Sequence, residues 1–404
     1  MTKMIKIQLS SMMFLLFFTS GAFTPVLSLY LKDTLHFTGA QAGMVLSTTA
    51  IGSLVAPLVT VFVADRWIKA ERLLAVSQLA SGVLMLAFSA QRTFLPVIGY
   101  YFCYTLFSVP SFALVNAIIF HHFTGTRHKF GTVRVWGTIG WIAVAWTFGY
   151  LWLRQGGGAA GSRLPDALKL AAYASLALGL YAFTLPVNRP LIRNAGAGFL
   201  PLDSLRVLKT PAVLRLCVFM FCMSFIYRFY YFGTAPFLRA TGFADNVIMP
   251  VMSLGQVTEV FAMGILGLLL LRFGPKRVIL LGLLLDCFRY ATAALGSPFW
   301  LVIAGLAVHG LAYTFIYTTA SIYLDGFCDR ASRTGVHQLF AMVTSGAGSF
   351  AGNIFCGYTM DFCTGNNGAV RYHLFWLAPA TALFLMFTVL LFSFKKNNKH
   401  APAH

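Results

Sequence analysis

Acidic side chains are the scarcest functional group in this 404-residue chain, with 11 Asp and Glu against 30 Lys and Arg. Charge of both signs together reaches 10%, whereas a soluble domain carries about 25% because it must be wet on every side. A soluble enzyme, a secreted scaffold and a disordered chain are excluded on that ground. Cysteine is sparse too. There are seven, an odd count with no CxxC pair, and Cys103, Cys217, Cys222, Cys287 and Cys356 stand singly in apolar runs, so no disulfide framework is implied. No HxxxxD string and no paired carboxylates occur, which removes the groups a membrane-embedded acyltransferase needs. No filter sequence or charged ring marks a channel. His121, His122 and His128 cluster without a carboxylate or cysteine beside them, so no metal and no cofactor is expected.

What the chain has is oil. Apolar residues make up 58% of it and the mean hydropathy is +0.76, enough for roughly 12 bilayer spans of about 20 residues. Uninterrupted apolar stretches predict spans near 11–31, 41–64, 73–91, 93–120, 131–152 and 167–186, then 212–238, 247–271, 278–297, 299–323, 336–359 and 374–394. Lys3 and Lys6 ahead of an apolar run resemble a signal peptide, but further spans follow and no small-residue cleavage site ends the run, so a retained first helix is expected. A formal charge of +19 in a soluble domain suggests nucleic acid. Here the basic residues sit in short connectors, and topology accounts for them without a nucleic-acid partner. With the N-terminus inside, the inner connectors hold 19 Lys and Arg and the outer ones 6, which predicts both termini in the cytoplasm.

The connector at 187–211 is basic and contains Pro190 and Pro201, and it falls at mid-chain. It divides an N-terminal six-helix half, 1–186, from a C-terminal half, 212–394, with a tail at 395–404. The halves echo each other. Asp65-Arg66-Trp67-Ile68-Lys69 joins spans two and three, and Arg272-Phe-Gly-Pro-Lys276-Arg277 joins spans eight and nine, roughly 206 residues on. Twofold repetition within twelve helices predicts an all-α membrane protein, a secondary transporter with its substrate site near the bilayer midplane. Gly346, Gly348 and Gly352 predict close helix approach, and Pro25, Pro110 and Pro236 predict kinks. Surrounding lipid and a monomeric state are expected.

Four charges fall where charge is expensive, since an ionised side chain at the bilayer centre costs at least ~2.5 to 3.5 kcal/mol. They are Arg228, Glu259, Asp286 and Arg289. Counted inward at 1.5 Å per residue, Arg228 lies about 15 Å and Glu259 about 18 Å deep. Glu259 is thus the candidate proton-binding carboxylate and Arg228 its charge partner or a substrate donor. Oil favours the neutral form of a carboxyl group and a nearby cation the ionised form, so a cation that moves between conformations loads and unloads the proton. Asp286 and Arg289, three apart on one face, neutralise each other locally and lie near enough to midplane to join the proton-coupling set.

Span five carries Arg134, Thr138 and Trp141 at i, i+4 and i+7, so a guanidinium, a hydroxyl and an indole share one stripe. That set suits a polyhydroxylated ring by hydrogen bonding or a base by stacking. Span seven adds Tyr227 and Tyr230, and span eight places Gln256, an amide that donates and accepts at once, three residues before Glu259. Asn116 in span four and His309 in span ten are lone polar groups with either a substrate or an interhelical role.

These strings resemble the major facilitator superfamily and, within it, the nucleoside:proton symporters. The resemblance runs through Pro110 with Asn116, Arg134-Val-Trp-Gly-Thr138-Ile-Gly, Ser253-Leu-Gly-Gln256-Val-Thr-Glu259 and Val308-His-Gly310-Leu-Ala312. It implies a nucleoside site using Arg134, Thr138, Trp141, Gln256 and Glu259, proton coupling at Glu259, alternating access, and a bacterial inner-membrane location. Two departures stand out. Thr314 occupies the family's acidic position in span ten, and Tyr227 and Tyr230 replace a polar pair in span seven, so all three enter as substrate-facing candidates. The oligosaccharide:proton symporters are similar over Phe130-Gly, Arg134, Gly137, Gly140 and Trp141, with Arg289 and His309 also at functional positions, but Ala312 replaces their coupling carboxylate. A proton-coupled sugar symporter is therefore the alternative expectation.

Overall fold

The computed structural model describes residues 3–59, 68–122, 130–153, 163–186, 206–328 and 333–393. The Asp65-Arg66-Trp67 connector, His128, the linker at 187–205 and the 395–404 tail lie outside the described residues, with several of the basic residues counted above. The described chain is helical, as a bilayer demands of a backbone with no water to bond to. A bridge between Thr364 and Val370 is the only β pairing among the described residues.

The helices are α1 (Lys3–Thr34), α2 (Gly39–Val59), α3 (Ala70–Ala90), α4 (Phe94–His122), α5 (Phe130–Trp146, continued by a π turn over Thr147–Leu153) and α6 (Asp166–Ala182). Then come α7 (Pro211–Ala240), α8 (Asp245–Leu295), α9 (Phe299–Asp325), α10 (Gly335–Cys363) and α11 (Tyr372–Ser393). Nine helices among the described residues are long and apolar enough to cross a membrane. α1 begins eight residues before the expected span, because Lys3 and Lys6 extend the helix with good helix formers. At Pro25, which has no N–H to give, α1 tightens to a 3-10 turn over Thr24–Val26. Pro110 and Pro236 sit inside α4 and α7, whose helical bonding continues on both sides. α8 has two arms. Gly274, at φ 75° and ψ 163°, takes a conformation that glycine alone adopts freely. It breaks the helix within the Arg272–Arg277 run, where the connector between spans eight and nine is expected.

The sequence repeat has a structural counterpart in where helices start. Gly39 and Asp245 open α2 and α8, and Asp166 and Tyr372 open α6 and α11, each pair 206 residues apart.

The chain divides into two compact units, Met1–Ser253 with Cys328–Asp361, and Leu254–Phe327 with Phe362–His404. In the first, Leu9, Met12, Leu74, Leu114, Val133 and Leu178 bring α1, α3, α4, α5 and α6 around one core. α10 meets α7 through two of the expected glycines, with Gly348 on the Phe221 carbonyl and Gly352 on that of Phe225, while Gly346 meets the Leu54 side chain of α2. In a membrane, where lipid is as apolar as leucine, such backbone approach is what holds helices together. In the second unit, Ala262 and Leu266 from one arm of α8 pack with Val278 from the other and Phe315 of α9.

Candidate functional site

In the first unit the α5 stripe is built against α1. The Arg134 guanidinium lies over the Phe17 ring, 4.3 Å from its centroid, Thr138 is buried, and half-buried Trp141 packs on Gly21. Gly140 lies against the Phe14 carbonyl, too close for any side chain. The three predicted residues are therefore together, and the cation rests on the Phe17 ring, an arrangement worth roughly 0.5 to 2 kcal/mol. Asn116 is half-buried on α4.

On α7, Tyr230 is buried and its hydroxyl donates to the Met252 carbonyl at 3.3 Å, while half-buried Tyr227 stands 6.2 Å from the Tyr230 ring and 5.5 Å from that of Tyr231. Between them Arg228 packs its Cγ on Gly352 and sits 5.7 Å from the Tyr227 ring. Its Nε is buried and has no hydrogen bond among the described residues. The indole of Trp146 donates to Ser253 Oγ at 2.9 Å, a contact outside the predicted set.

In the second unit Gln256 and Glu259 are half-buried, three residues apart on α8. α9 crosses that turn at backbone distance. Gly310 abuts the Gly255 carbonyl and the Glu259 backbone nitrogen, and the Thr258 hydroxyl donates to the Ala307 carbonyl at 2.5 Å. Deeper in the unit, Arg289 pairs with Asp286 at 3.0 Å and with His309 Nδ1 at 2.7 Å. Thr314 opens a π turn over Thr314–Thr318, a geometry frequent at functional positions. It is fully buried, and its hydroxyl has no hydrogen bond among the described residues. Tyr313 and Tyr317 stack at 4.8 Å beside it.

One charged cluster escaped the sequence reading. Arg239 at the end of α7 clamps Asp245 through both carboxylate oxygens and reaches Asp33 at 2.9 Å. Asp361 of α10 accepts the Gly39 and Ala40 N–H groups at 2.5 and 2.7 Å, capping α2 from another helix. Gly39 and Gly357 touch backbone to backbone. The missed signal is the repeat itself, since Asp33 and Arg239 are 206 positions apart and so occupy matching helix ends. Among the described residues no three His, Cys, Asp or Glu side chains are grouped to hold a metal ion.

Comparison with known proteins adds four findings. The family model described as "Nucleoside H+ symporter" matches residues 3–399. The putative nucleoside transporter YegT of Escherichia coli (strain K12) is 33% identical over 366 residues, 88% of this chain and 84% of that protein. The xanthosine permease of the same organism is 28% identical over 98% of this chain and 97% of its own. The crystal structure of the nucleoside transporter NupG superimposes with a TM-score of 0.85 over 97% of this chain and 100% of that one; at 23% identity it shows a shared fold.

Proposed function

The chain belongs to the nucleoside H+ symporter family, and from that premise we propose how it carries its cargo. It is a secondary active transporter that imports nucleosides with protons by alternating access, a multi-pass protein of a bacterial inner membrane and not an enzyme. The observation that carries this is the family match along nearly the whole chain. The reading goes further in the following respects. Twelve spans, counting the two arms of α8 separately, form six-helix halves at 1–186 and 212–394, with 187–211 as linker and both termini and the 395–404 tail in the cytoplasm. The transporter works as a monomer in lipid.

Arg134 and Thr138 hold the ribose hydroxyls, and Trp141 with Tyr227 and Tyr230 stacks on the base. Gln256 reads the base edge, helped by Asn116 and Thr314, while buried His309 is engaged by Arg289. Glu259 carries the proton with Arg228 as its charge partner, and Asp286 with Arg289 completes the coupling set. What supports these roles is the residue chemistry above and the grouping of each set within its unit. The contacts of Asp33 with Arg239, of Asp361 with Gly39 and of Gly39 with Gly357 join the proposed halves at their outer ends. In this reading they are the closed face of the cycle.

The test is labelled uridine uptake into vesicles under an outside-acid gradient, with lactose and uracil as competitors. Saturable uptake driven by the gradient, blocked by adenosine and not by lactose, is the expected result; competition by lactose alone would transfer the reading to sugars. Arg134→Ala is expected to raise the KM for uridine about 10- to 100-fold, the loss of charge-assisted hydrogen bonds worth about 1.5 to 3 kcal/mol, with kcat less affected. Asp33→Asn is a milder case, since it removes one end of this cluster and leaves the Arg239 clamp on Asp245 in place. Asp33 and Arg239 are 38% and 26% exposed, so water screens the pair and its loss is worth under about 1 kcal/mol. Outer-face labelling of an introduced cysteine is expected to rise less than fivefold.

A further inference from the structure

Arg289 meets both Asp286 and His309, where charge balance requires only the carboxylate. Its Nη2 lies 3.0 Å from Asp286 Oδ1 and its Nη1 2.7 Å from His309 Nδ1. The three side chains are 2%, 4% and 3% exposed respectively. A permanent neutralising pair needs only the first contact, since Asp286 and Arg289 already face each other on one helix. The imidazole adds no charge; it adds a second resting place for the cation.

The geometry also fixes its tautomer. A guanidinium has donors only, so His309 Nδ1 accepts and the neutral ring carries its hydrogen on Nε2. The Cδ2 edge beside Nε2 lies on Gly255, where an added Cβ would come within 2.8 Å, and Gly310 presses α9 onto the same turn of α8. The ring is therefore locked in orientation, its lone pair held toward Arg289. Among the described residues, other titratable or charged groups near the pair include Cys287 and Tyr290 on its own arm, with the Tyr290 ring 4.3 Å under the guanidinium; Tyr313, 6.5 Å from the imidazole, and Tyr317 on α9; and Glu259 on the first arm of α8. α11 adds Trp376, which does not titrate, against Tyr290.

We propose that Asp286 is a second proton acceptor of the transport cycle, and that His309 is the positioning residue that makes its protonation possible by keeping hold of Arg289. A proton from hydronium, whose O–H bond breaks to leave water, adds to a carboxylate oxygen of Asp286, forming an O–H bond and ending the ion pair. Arg289 keeps its hydrogen bond to Nδ1, so the cation is never left buried without an acceptor, a situation that costs several kcal/mol. The unit gains one positive charge. On the opposite face that O–H bond breaks, the proton returns to water, and Arg289 takes back its carboxylate. An Asp-Arg pair alone strands the cation at the first step.

The inference rests on the symporter reading, and its test keeps the two separable. Proton and uridine entry are measured together in vesicles with a pH-sensitive dye. Asp286→Asn, neutral and of the same shape, is expected to lose about one proton per nucleoside relative to wild type; Asp286→Asn/Arg289→Gln, which removes both charges, gives the same readout if the single variant fails to insert. His309→Leu removes the imidazole acceptor and shifts Arg289 toward Asp286, so the pH at which uptake is half-maximal is expected to move about one unit more acid. His309→Gln, whose amide oxygen also accepts from Nη1, is expected to return it to the wild-type value. An unchanged proton ratio in both Asp286 variants, or an acid shift that glutamine does not reverse, overturns the proposal while leaving symport intact. Wild type that takes up uridine without protons overturns both.

Discussion

Glu259→Gln is expected to lower uridine accumulation by the share that one proton supplies, while counterflow at equal pH on both sides persists. The magnitude follows from what one proton brings. It carries about 2.3 kcal/mol per 100 mV of membrane potential, and since 1.4 kcal/mol is tenfold, it sustains roughly a fortyfold gradient of a neutral solute. Glutamine keeps the size and one acceptor of the side chain and loses the exchangeable charge, so binding weakens less than coupling. Glu259 is suited to this role by position. It is half-buried on α8 at the turn where Gly310 of α9 meets backbone to backbone, which limits how far the turn can relax when its charge changes. A Glu259→Gln transporter that concentrates uridine as far as wild type would remove the carboxylate from the coupling role.

The second large effect is steric. In Gly357→Leu the new side chain meets the Gly39 carbonyl and the Ala40 Cα, both backbone atoms, neither of which can swing aside. α2 and α10 then cannot close. Because these helices belong to different proposed halves, which part in the other phase of the cycle, the protein is expected to fold and to stay open on its outer face. Uptake should fall by more than tenfold, and a cysteine introduced at Ala40 should react freely with a membrane-impermeant maleimide. Gly140→Leu serves as the control. Its new side chain strikes the Phe14 carbonyl and Cα between α1 and α5, two helices of one half that stay packed throughout, so that variant is expected to be lost from the membrane. Full uptake by the Gly357 variant would mean that the contact of α2 with α10 is not part of the cycle.

Much of this molecule is written along the chain. A bilayer leaves the backbone no partner except itself, so each long apolar run is a helix. The run from Phe94 to His122 and that from Pro211 to Ala240 are read without reference to any neighbour. The Arg272–Arg277 run marked its own break, because Gly274 and Pro275 cannot continue a helix there. The spacing of Arg134, Thr138 and Trp141 put them on one face by helical geometry alone.

Which face meets which neighbour was decided only by tertiary packing. The sequence gives no sign that Arg134 rests on Phe17, that Arg289 is shared between Asp286 and His309, or that Asp361 caps α2 from a helix more than 300 residues away. In water, an apolar stripe tells a helix which way to turn; in lipid, every face is equally at home, and small residues at backbone contact set the rotation instead. Glycine at 140, 310 and 357 carried that information, but a glycine names no partner until the helices are assembled.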